Sequence, residues 1–308
     1  MNSLPILCCG PTPALQRALR FDAWDAPGDV VRTRHITLSV GGKATNAARA
    51  VTRAGGQATV LSPVGGMLGR RVRDLLAAEG LEAIWIEVAA ETRTCQTLLD
   101  AEGHRIRELV EDALPLSLPE WGEMFSQAER ALHFHQALLL CGSLPDEAPD
   151  EVYATLIELA HAAGKRVVID AKGPPLEKAL PLKPDLVKIN RSELQATTGQ
   201  EEIPEGMRAL QARGAKNVMI TDGPQQAWLL SGKRLHRYTL PTIQPVNPIG
   251  GGDTVTGVTA QAWCAGEDLP AAARRGLAAG TAQTLTHNPA EFDLEDARNF
   301  FKQIKQGR

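Results

Sequence analysis

Three consecutive glycines precede an aspartate in Gly250-Gly251-Gly252-Asp253, just before Val255–Trp263, a run typical of a helix. Glycines have no Cβ, so backbone N–H groups in such a turn can approach an anion closely. The first turn of a helix adds unpaired N–H groups and the positive end of its dipole. A carboxylate in that turn can take a proton from a bound hydroxyl group. The pattern predicts the oxyanion cradle and base that phosphoryl transfer to an alcohol requires. The structural alternative is a glycine-rich turn whose Asp only caps the helix.

A second glycine segment, Gly41-Gly42-Lys43-Ala44-Thr45-Asn46, precedes a helix of mostly small residues that Gly55 or Gly56 would end. Lys43 and Asn46 are three positions apart, so both side chains lie on one face of the first helical turn. Both can therefore contact a ligand that lies over the start of the helix. The structural alternative is a tight turn with a solvated lysine.

Together, the two segments resemble the signatures of the PfkB/ribokinase family of sugar kinases, and the resemblance extends from Leu4 to about Thr286. Other segments resemble the family in the same order along the chain: Thr92-Arg93-Thr94, Cys141-Gly142-Ser143-Leu144-Pro145, the strand-end Asp170, Lys188-Ile189-Asn190-Arg191-Ser192-Glu193-Leu194 and Thr221-Asp222-Gly223. Within the family, the chain is most similar to the phosphosugar branch, the fructose-1-phosphate and tagatose-6-phosphate kinases.

This resemblance implies an enzyme that transfers a phosphoryl group from ATP, with Mg²⁺, to a hydroxyl of a sugar or sugar phosphate. Asp253 would be the base, and Gly250, Gly251 and Gly252 would hold the transferring group. The resemblance also assigns the binding residues: Gln16, Gly42, Lys43, Asn46, Arg93 and Ser143 for the acceptor, Asn190, Thr221, Asp222 and Gly223 for the nucleotide, and Glu193 for the Mg²⁺ network. Asn190 and Glu193 also have the spacing of a helix N-cap and its capping-box glutamate.

The acceptor half of the chain departs from the family pattern. Thr12-Pro13-Ala14-Leu15-Gln16 stands where the phosphosugar branch has Asn-Pro-Ala-x-Asp, and Gln16 both donates and accepts hydrogen bonds without carrying a charge. Ala44 replaces a glycine, Ile189 replaces a proline, and Cys95 stands where relatives often have a polar residue. Lys43 and Arg93 favour a phosphorylated acceptor, since such cations bind phosphate oxygens. The alternatives are a kinase of an unphosphorylated sugar or nucleoside, and a non-catalytic sugar- or nucleotide-binding regulator that keeps the fold.

Apolar strand-like runs alternate with helix-length segments from about residue 57 onward. The helical segments predicted are Leu68–Ala78, Pro149–Ala163 and Pro204–Arg213. This alternation predicts an α/β fold whose mostly parallel central sheet is flanked by helices. Short β-like pieces at about 17–38 and 84–110 predict a small antiparallel lid. We therefore expect one ribokinase-like kinase domain over residues 1–308, with a lid that covers the sugar and can join two copies as a homodimer.

Composition narrows the classes of function. The 308 residues include 33 Lys and Arg against 36 Asp and Glu, so the charges nearly balance, and there is no basic tail. The sequence therefore lacks the clustered positive charge that binds nucleic acid or a membrane surface. The apolar runs are too short to cross a bilayer, and the N-terminus lacks the basic region of a signal peptide. The five cysteines, at 8, 9, 95, 141 and 264, have no metal-binding spacing and predict buried, reduced thiols in a cytoplasmic protein.

Overall fold

The computed structural model describes residues 4–22, 30–100 and 105–307. The strands are β1 Ile6–Cys9, β2 Ala14–Phe21, β3 His35–Gly41, β4 Ala58–Val64, β5 Glu82–Glu87, β6 Arg93–Asp100, β7 Ile106–Val110, β8 Ala137–Cys141, β9 Arg166–Asp170, β10 Leu186–Asn190, β11 Asn217–Asp222, β12 Gln226–Ser231, β13 Arg234–Thr239 and β14 Lys305–Gly307. The helices are α1 Lys43–Arg53, α2 Gly66–Ala78, α3 Leu118–Leu132, α4 Val152–Ala162, α5 Pro174–Ala179, α6 Arg191–Thr198, α7 Ile203–Ala212, α8 Gly251–Cys264, α9 Leu269–Gln283 and α10 Leu294–Gln303, with a 3₁₀ turn at Leu180–Leu182.

Ten strands form the large sheet, in the order β14-β13-β12-β11-β10-β9-β8-β1-β4-β5. Pairs from β11 to β5 are parallel, whereas β11 to β14 pair antiparallel at one edge. Interior strands such as β8, Ala-Leu-Leu-Leu-Cys, are buried at every position because helices cover both faces. This confirms the predicted fold class. The three helices predicted from the sequence correspond to α2, α4 and α7, with ends that agree to within three residues.

Each face of the large sheet has its own apolar core. One core joins α1, α8 and α9 to the sheet through residues such as Val51, Val258 and Leu277. The other joins α3, α4 and α7 to the opposite face through residues such as Met124 and Leu156. Four of the five cysteines are buried, none is in a disulfide, and burial raises the pKa of the Cys8 and Cys9 thiols.

A second sheet of four strands, in the order β3-β2-β6-β7, forms the lid. Its two outer pairings are antiparallel, and the central pairing of β2 with β6 is parallel. The predicted second lid segment, about 84–110, was too long, because Glu82–Glu87 pairs with β4 in the large sheet and the lid resumes at Arg93. Positions 23–29 and 101–104 of the predicted lid segments lie outside the described residues.

In the part of the chain that the structure describes, no helix combines the length and apolar character needed to cross a membrane.

Candidate active site

The glycine segment before Asp253 forms the N-terminus of α8, at the carboxyl-terminal edge of the parallel strands. Gly250 is the N-cap, with φ at +85°, a left-handed conformation that glycine adopts without strain. A Cβ at Gly250 would also lie 2.7 Å from the Cβ of Pro289. Glycine is therefore required here for both conformation and space. Gly250, Gly251 and Gly252 line a cavity at the start of α8, where the N–H of Gly251 donates to the carbonyl of Pro248.

Asp253 lies in the first turn of α8 and is only 8% exposed. The Nδ2 of Asn46, on α1, donates a 2.8 Å hydrogen bond to the Oδ2 of Asp253. Burial raises the pKa of Asp253, and the nearby Asp170 charge raises it further, while Lys43 and the Asn46 hydrogen bond oppose the shift. The result is a carboxylate whose proton affinity is above that of an ordinary aspartate, which suits a general base.

Beside Asp253, the buried carboxylate of Asp170 is held by three donors from three elements. Lys43 Nζ on α1 lies 2.8 Å from Oδ1, while Lys188 Nζ on β10 and Thr256 Oγ1 on α8 lie 2.9 and 2.8 Å from Oδ2. Burial alone would raise the pKa of Asp170, but the Lys188 and Lys43 charges bring it well below its usual range. Burial likewise acts to lower the pKa of Lys43, and the charges of Asp170 and Asp253 raise it above its usual value.

These four charged groups, Asp170, Asp253, Lys43 and Lys188, are called the charge cluster below. Its two carboxylates and two ammonium groups balance when all four are ionised. Sequence analysis placed Asp170 and Lys188 in segments that resemble the family but gave neither a role. Only the tertiary contacts among β9, β10, α1 and α8 identify them as neighbours of Asp253.

One cavity of about 750 Å³ extends from the lid to the N-terminus of α8 and on to the strand ends. The predicted site residues that line it are Gln16, Gly42, Lys43, Asn46, Arg93, Asn190, Glu193, Thr221, Gly223, Gly250, Gly251, Gly252 and Asp253. Ser143 and Asp222 are outside this lining. The carbonyl of Ser143 accepts a hydrogen bond from Thr12, and Asp222 pairs with Arg191 at 3.4 Å.

Gln16 lies on the lid face that lines the cavity and is buried. Its Nε2 donates a 2.7 Å hydrogen bond to Thr97 Oγ1, on the neighbouring strand β6. One amide hydrogen is thus already paired, and the carbonyl oxygen of Gln16 is left as an acceptor. The substitution of glutamine for the family's acidic residue therefore keeps one hydrogen-bond acceptor at this position but removes its charge.

Arg93, at the start of β6, has two of its three nitrogens engaged with backbone. NH1 donates to the carbonyl of Glu111 and NH2 to the carbonyl of Thr12, each at 2.9 Å. The buried Nε has no hydrogen-bond partner. Because an unpaired buried donor is unfavourable, Arg93 has unused capacity for an acceptor oxygen in the cavity that it lines.

Glu108 on β7 also lines the cavity, and sequence analysis did not single it out. It stands directly opposite Thr97 in the β6–β7 pairing. Burial raises the pKa of Glu108, and so does the negative charge of Asp253 across the cavity. The sequence signal that could have identified Glu108 is the alternation of side chains along a strand, which puts Glu108 and Val110 on the same face of β7.

Asn190 and Glu193 form the capping box that the sequence offered as their structural role. Asn190 Oδ1 accepts from the N–H of Glu193 at 2.9 Å, and a Glu193 carboxylate oxygen accepts from the N–H of Asn190 at 3.0 Å. Both residues also line the cavity. Beyond them, Leu240, Ile243 and Leu277 give this end of the cavity an apolar wall.

Comparison with known proteins identifies the family to which this chain belongs. The model of the pfkB family of carbohydrate kinases matches residues 13–297. The chain is similar to phosphofructokinase-2 from Escherichia coli in complex with potassium, with a TM-score of 0.88 and 26% identity over 97% of this chain and 99% of that one. It is also similar to a possible 1-phosphofructokinase from Thermotoga maritima, with a TM-score of 0.89 and 17% identity over 98% and 99% of the two chains, which shows a shared fold. Since the family model spans all but a short stretch at each end, this chain belongs to the pfkB family and is a carbohydrate kinase.

Proposed function

We propose that this enzyme transfers the γ-phosphoryl group of ATP to a hydroxyl of a sugar phosphate, with Asp253 as the general base. The observation that carries the proposal is the buried Asp253 carboxylate, which accepts a hydrogen bond from Asn46 and lines the same cavity as the lid residues Gln16 and Arg93. A base must lie within hydrogen-bond reach of the hydroxyl that it deprotonates. The cavity around Asp253 offers that position from the lid side.

In this reaction, the acceptor oxygen forms a bond to phosphorus while the bond from phosphorus to the leaving oxygen of ADP breaks. The acceptor proton moves to the carboxylate of Asp253. The N–H groups at the start of α8 stabilise the negative charge on the transferring oxygens. Lys43 and Lys188 add two positive charges close to the same place.

The residues present fit ATP and Mg²⁺. A Cβ at Gly252 would come within 2.9 Å of Lys188 Nζ, so the missing side chain leaves room for phosphate oxygens next to that ammonium. We assign the nucleotide to Asn190, Thr221, Asp222 and Gly223, and the Mg²⁺ network to Glu193. Mg²⁺ keeps much of its hydration in such sites, so Glu193 would act on the ion through water. When bound, Mg²⁺ neutralises charge on the phosphate oxygens.

The phosphorylated acceptor is favoured by Arg93. The buried Nε of Arg93 has no hydrogen-bond partner, and Arg93 lines the same cavity as Lys43. The planar fork of an arginine can bind the oxygens of the acceptor's phosphate group, while Lys43, held by Asp170 in the charge cluster, adds its positive charge nearer to Asp253. The name of the E. coli neighbour, phosphofructokinase-2, supports the same class of acceptor.

We also propose that two copies associate through the lid and that the enzyme acts in the cytoplasm. The lid face opposite the cavity exposes Ile36, Leu38 and Leu109, an unusual concentration of apolar side chains on one small sheet. A second copy would cover them. Unpaired thiols accord with a reducing compartment.

The decisive experiment measures ATP consumption on a panel of hexose phosphates, free hexoses, nucleosides and inositols. We expect turnover of at least one hexose phosphate by the wild type and its loss in Asp253→Asn. Turnover confined to free sugars or nucleosides would show that the acceptor carries no phosphate. The absence of any turnover across the panel would favour a binding protein that keeps the fold.

A further inference from the structure

The large sheet has a second cavity at the edge opposite the active site. It has a volume of about 650 Å³ and lies among the amino-terminal ends of β9, β10 and β11. Arg166 is the first residue of β9, while Asp185 and Lys216 directly precede β10 and β11. These parallel strands carry active-site residues at their other ends, so a five-residue strand such as β9 separates the two edges by roughly 13 Å. This second site is called the basal cavity below.

The basal cavity is lined by four cations, Lys165, Arg166, Lys183 and Lys216, and by a single carboxylate, Asp185. Both oxygens of that carboxylate are already used. Oδ1 pairs with Lys216 Nζ at 2.7 Å, and Oδ2 accepts the N–H of Val167 at 2.8 Å. Asp185 therefore balances only one of the four cations.

The other three cations have no carboxylate within ion-pair distance in the ranges that the structure describes. Arg166 contacts only neutral groups, with NH1 donating to the carbonyl of Trp263 at 3.2 Å and lying 3.6 Å from the Cys264 sulfur. Its guanidinium also stacks on the Trp263 ring, 3.9 Å from the ring centre. These contacts fix the orientation of Arg166 and leave its positive charge unbalanced.

Two further features of the lining point to a ligand. The Nε2 of His161 is buried from solvent yet has no hydrogen-bond partner, so it can donate or accept toward an occupant according to its tautomer. Lys183 has φ at +58°, a left-handed conformation that is unfavourable for a lysine. Lys183 is the C-cap of the 3₁₀ turn Leu180–Leu182, and it lines the cavity, where it adds its charge to those of Lys165 and Arg166.

We propose that the basal cavity binds a small oligophosphate anion, one with two or more linked phosphate groups. Three unbalanced cations around one cavity match several phosphate charges better than a single monoanion, and charge-assisted hydrogen bonds to phosphate are strong. Nucleoside triphosphates and inorganic oligophosphates share this chemistry. The site is separate from the kinase cavity and does not depend on the acceptor assigned there.

Calorimetric titration of the full chain with inorganic tripolyphosphate tests this proposal. The basal variant is Lys165→Gln/Lys183→Gln, and its charge-matched control is Lys233→Gln/Lys302→Gln, two exposed lysines elsewhere on the surface. Lys43→Gln reports on binding in the kinase cavity. We expect two sites in the wild type and in the control. The basal variant should lose about tenfold or more in affinity at one site, and Lys43→Gln should weaken the other.

Further titrations identify the class of ligand, and measurements of activity and melting temperature exclude a general loss of folding. Orthophosphate should bind the basal cavity more weakly than tripolyphosphate, and titration with ATP in the Lys43→Gln protein asks whether a nucleoside triphosphate also binds there. Kinase activity without tripolyphosphate and the melting temperature should be unchanged in the basal variant. The proposal is overturned if the wild type has only the site that Lys43→Gln weakens, or if the basal variant and the control lose affinity equally.

Discussion

At the scale of single residues, Asp253, the proposed general base, is buried among groups that act on its pKa in opposite directions. Burial and Asp170 favour its protonated form, whereas Lys43 and Asn46 favour the carboxylate. Asn46 and Asp253 are 207 positions apart in the sequence and joined by one 2.8 Å hydrogen bond. Each of these influences can be changed separately by substitution.

Asp253→Asn removes the proton acceptor but keeps the shape of the side chain. We expect kcat to fall by about a hundred- to ten-thousand-fold, because general-base catalysis contributes that much. Nucleotide affinity and the melting temperature should change little. Steady-state kinetics on an active acceptor gives the measurement, with the exposed Asp74→Asn as control. Near-normal turnover by Asp253→Asn would show that another group takes the proton.

Asn46→Ala should move the acidic limb of the pH–rate profile to higher pH. The hydrogen bond from Asn46 lowers the pKa of Asp253, so its removal raises a pKa that burial has already raised. The base must be ionised to act, and activity should therefore disappear at a higher pH than in the wild type. The profile of kcat/KM reports this limb for the free enzyme. A lower kcat/KM with an unmoved limb would limit Asn46 to substrate binding.

At the scale of elements, the charge cluster joins β9, β10, α1 and α8 around the buried carboxylate of Asp170. Asp170→Asn would leave Lys188, which is 5% exposed, without its partner. Removing one partner of a buried ion pair costs about 3–5 kcal/mol of unfolding free energy. Denaturant unfolding at pH 7 measures this loss. Glu205→Gln, which breaks the exposed pair with Arg208, should cost less than about 1 kcal/mol.

The sign of the pH dependence follows from the depressed pKa of Asp170. Its folded-state pKa lies below the unfolded value of about 3.9, so its contribution is fully present above that value and is lost as the pH falls below it. The stability gap between the wild type and Asp170→Asn should shrink as the pH falls below about 4. A gap that stays constant into acid would mean that the carboxylate charge is not its source.

α8 packs against α1 and α9 through glycines, which allow a very close approach. A Cβ at Gly257 would lie 2.4 Å from the carbonyl oxygen of Ala47 on α1. We expect Gly257→Ala to cost about 1–3 kcal/mol of unfolding free energy and to lower kcat, since α1 carries Lys43 and Asn46. Gly122→Ala, in α3 with no atom within 4 Å, should instead stabilise by about 0.4–1 kcal/mol. Equal effects at the two sites would contradict the steric explanation.

At the scale of the whole molecule, the outer face of the lid is the proposed interface between two copies. Ile36 and Leu38 on its outer face are 45% and 40% exposed. Lysines at both positions should lower the average mass measured by sedimentation, because a dimer would bury them. The matched control places lysines at Met67 and Phe134, two exposed apolar side chains away from the lid. A wild type that is monomeric at all concentrations, or a control that dissociates equally, would exclude the lid interface.

The signals in the sequence that proved informative are local ones. The apolar run of β8 and the three glycines before Asp253 are patterns of a few adjacent residues. The large sheet and the start of α8 could therefore be predicted from the sequence. Positions 84–87 of β5 were assigned to the lid because the segment 84–110 reads as short β-like pieces with turns and no convincing helix. Only its pairing with β4 puts it in the large sheet. The contacts of Asp170 with Lys43 and Lys188 join elements far apart in the chain, and no local pattern reports them.

The separation of the lid from α8 has a consequence for how such an enzyme can diverge. Apart from the residues that line the cavity, α8 packs closely against α1 and α9, so most substitutions there would destabilise the fold before they altered the reaction. The lid strands instead direct alternate side chains, among them Gln16, Cys95 and Glu108, into the cavity, and none of these three belongs to either apolar core. Under the proposed function, single substitutions in the lid sheet would change the acceptor while the residues around Asp253 stayed the same.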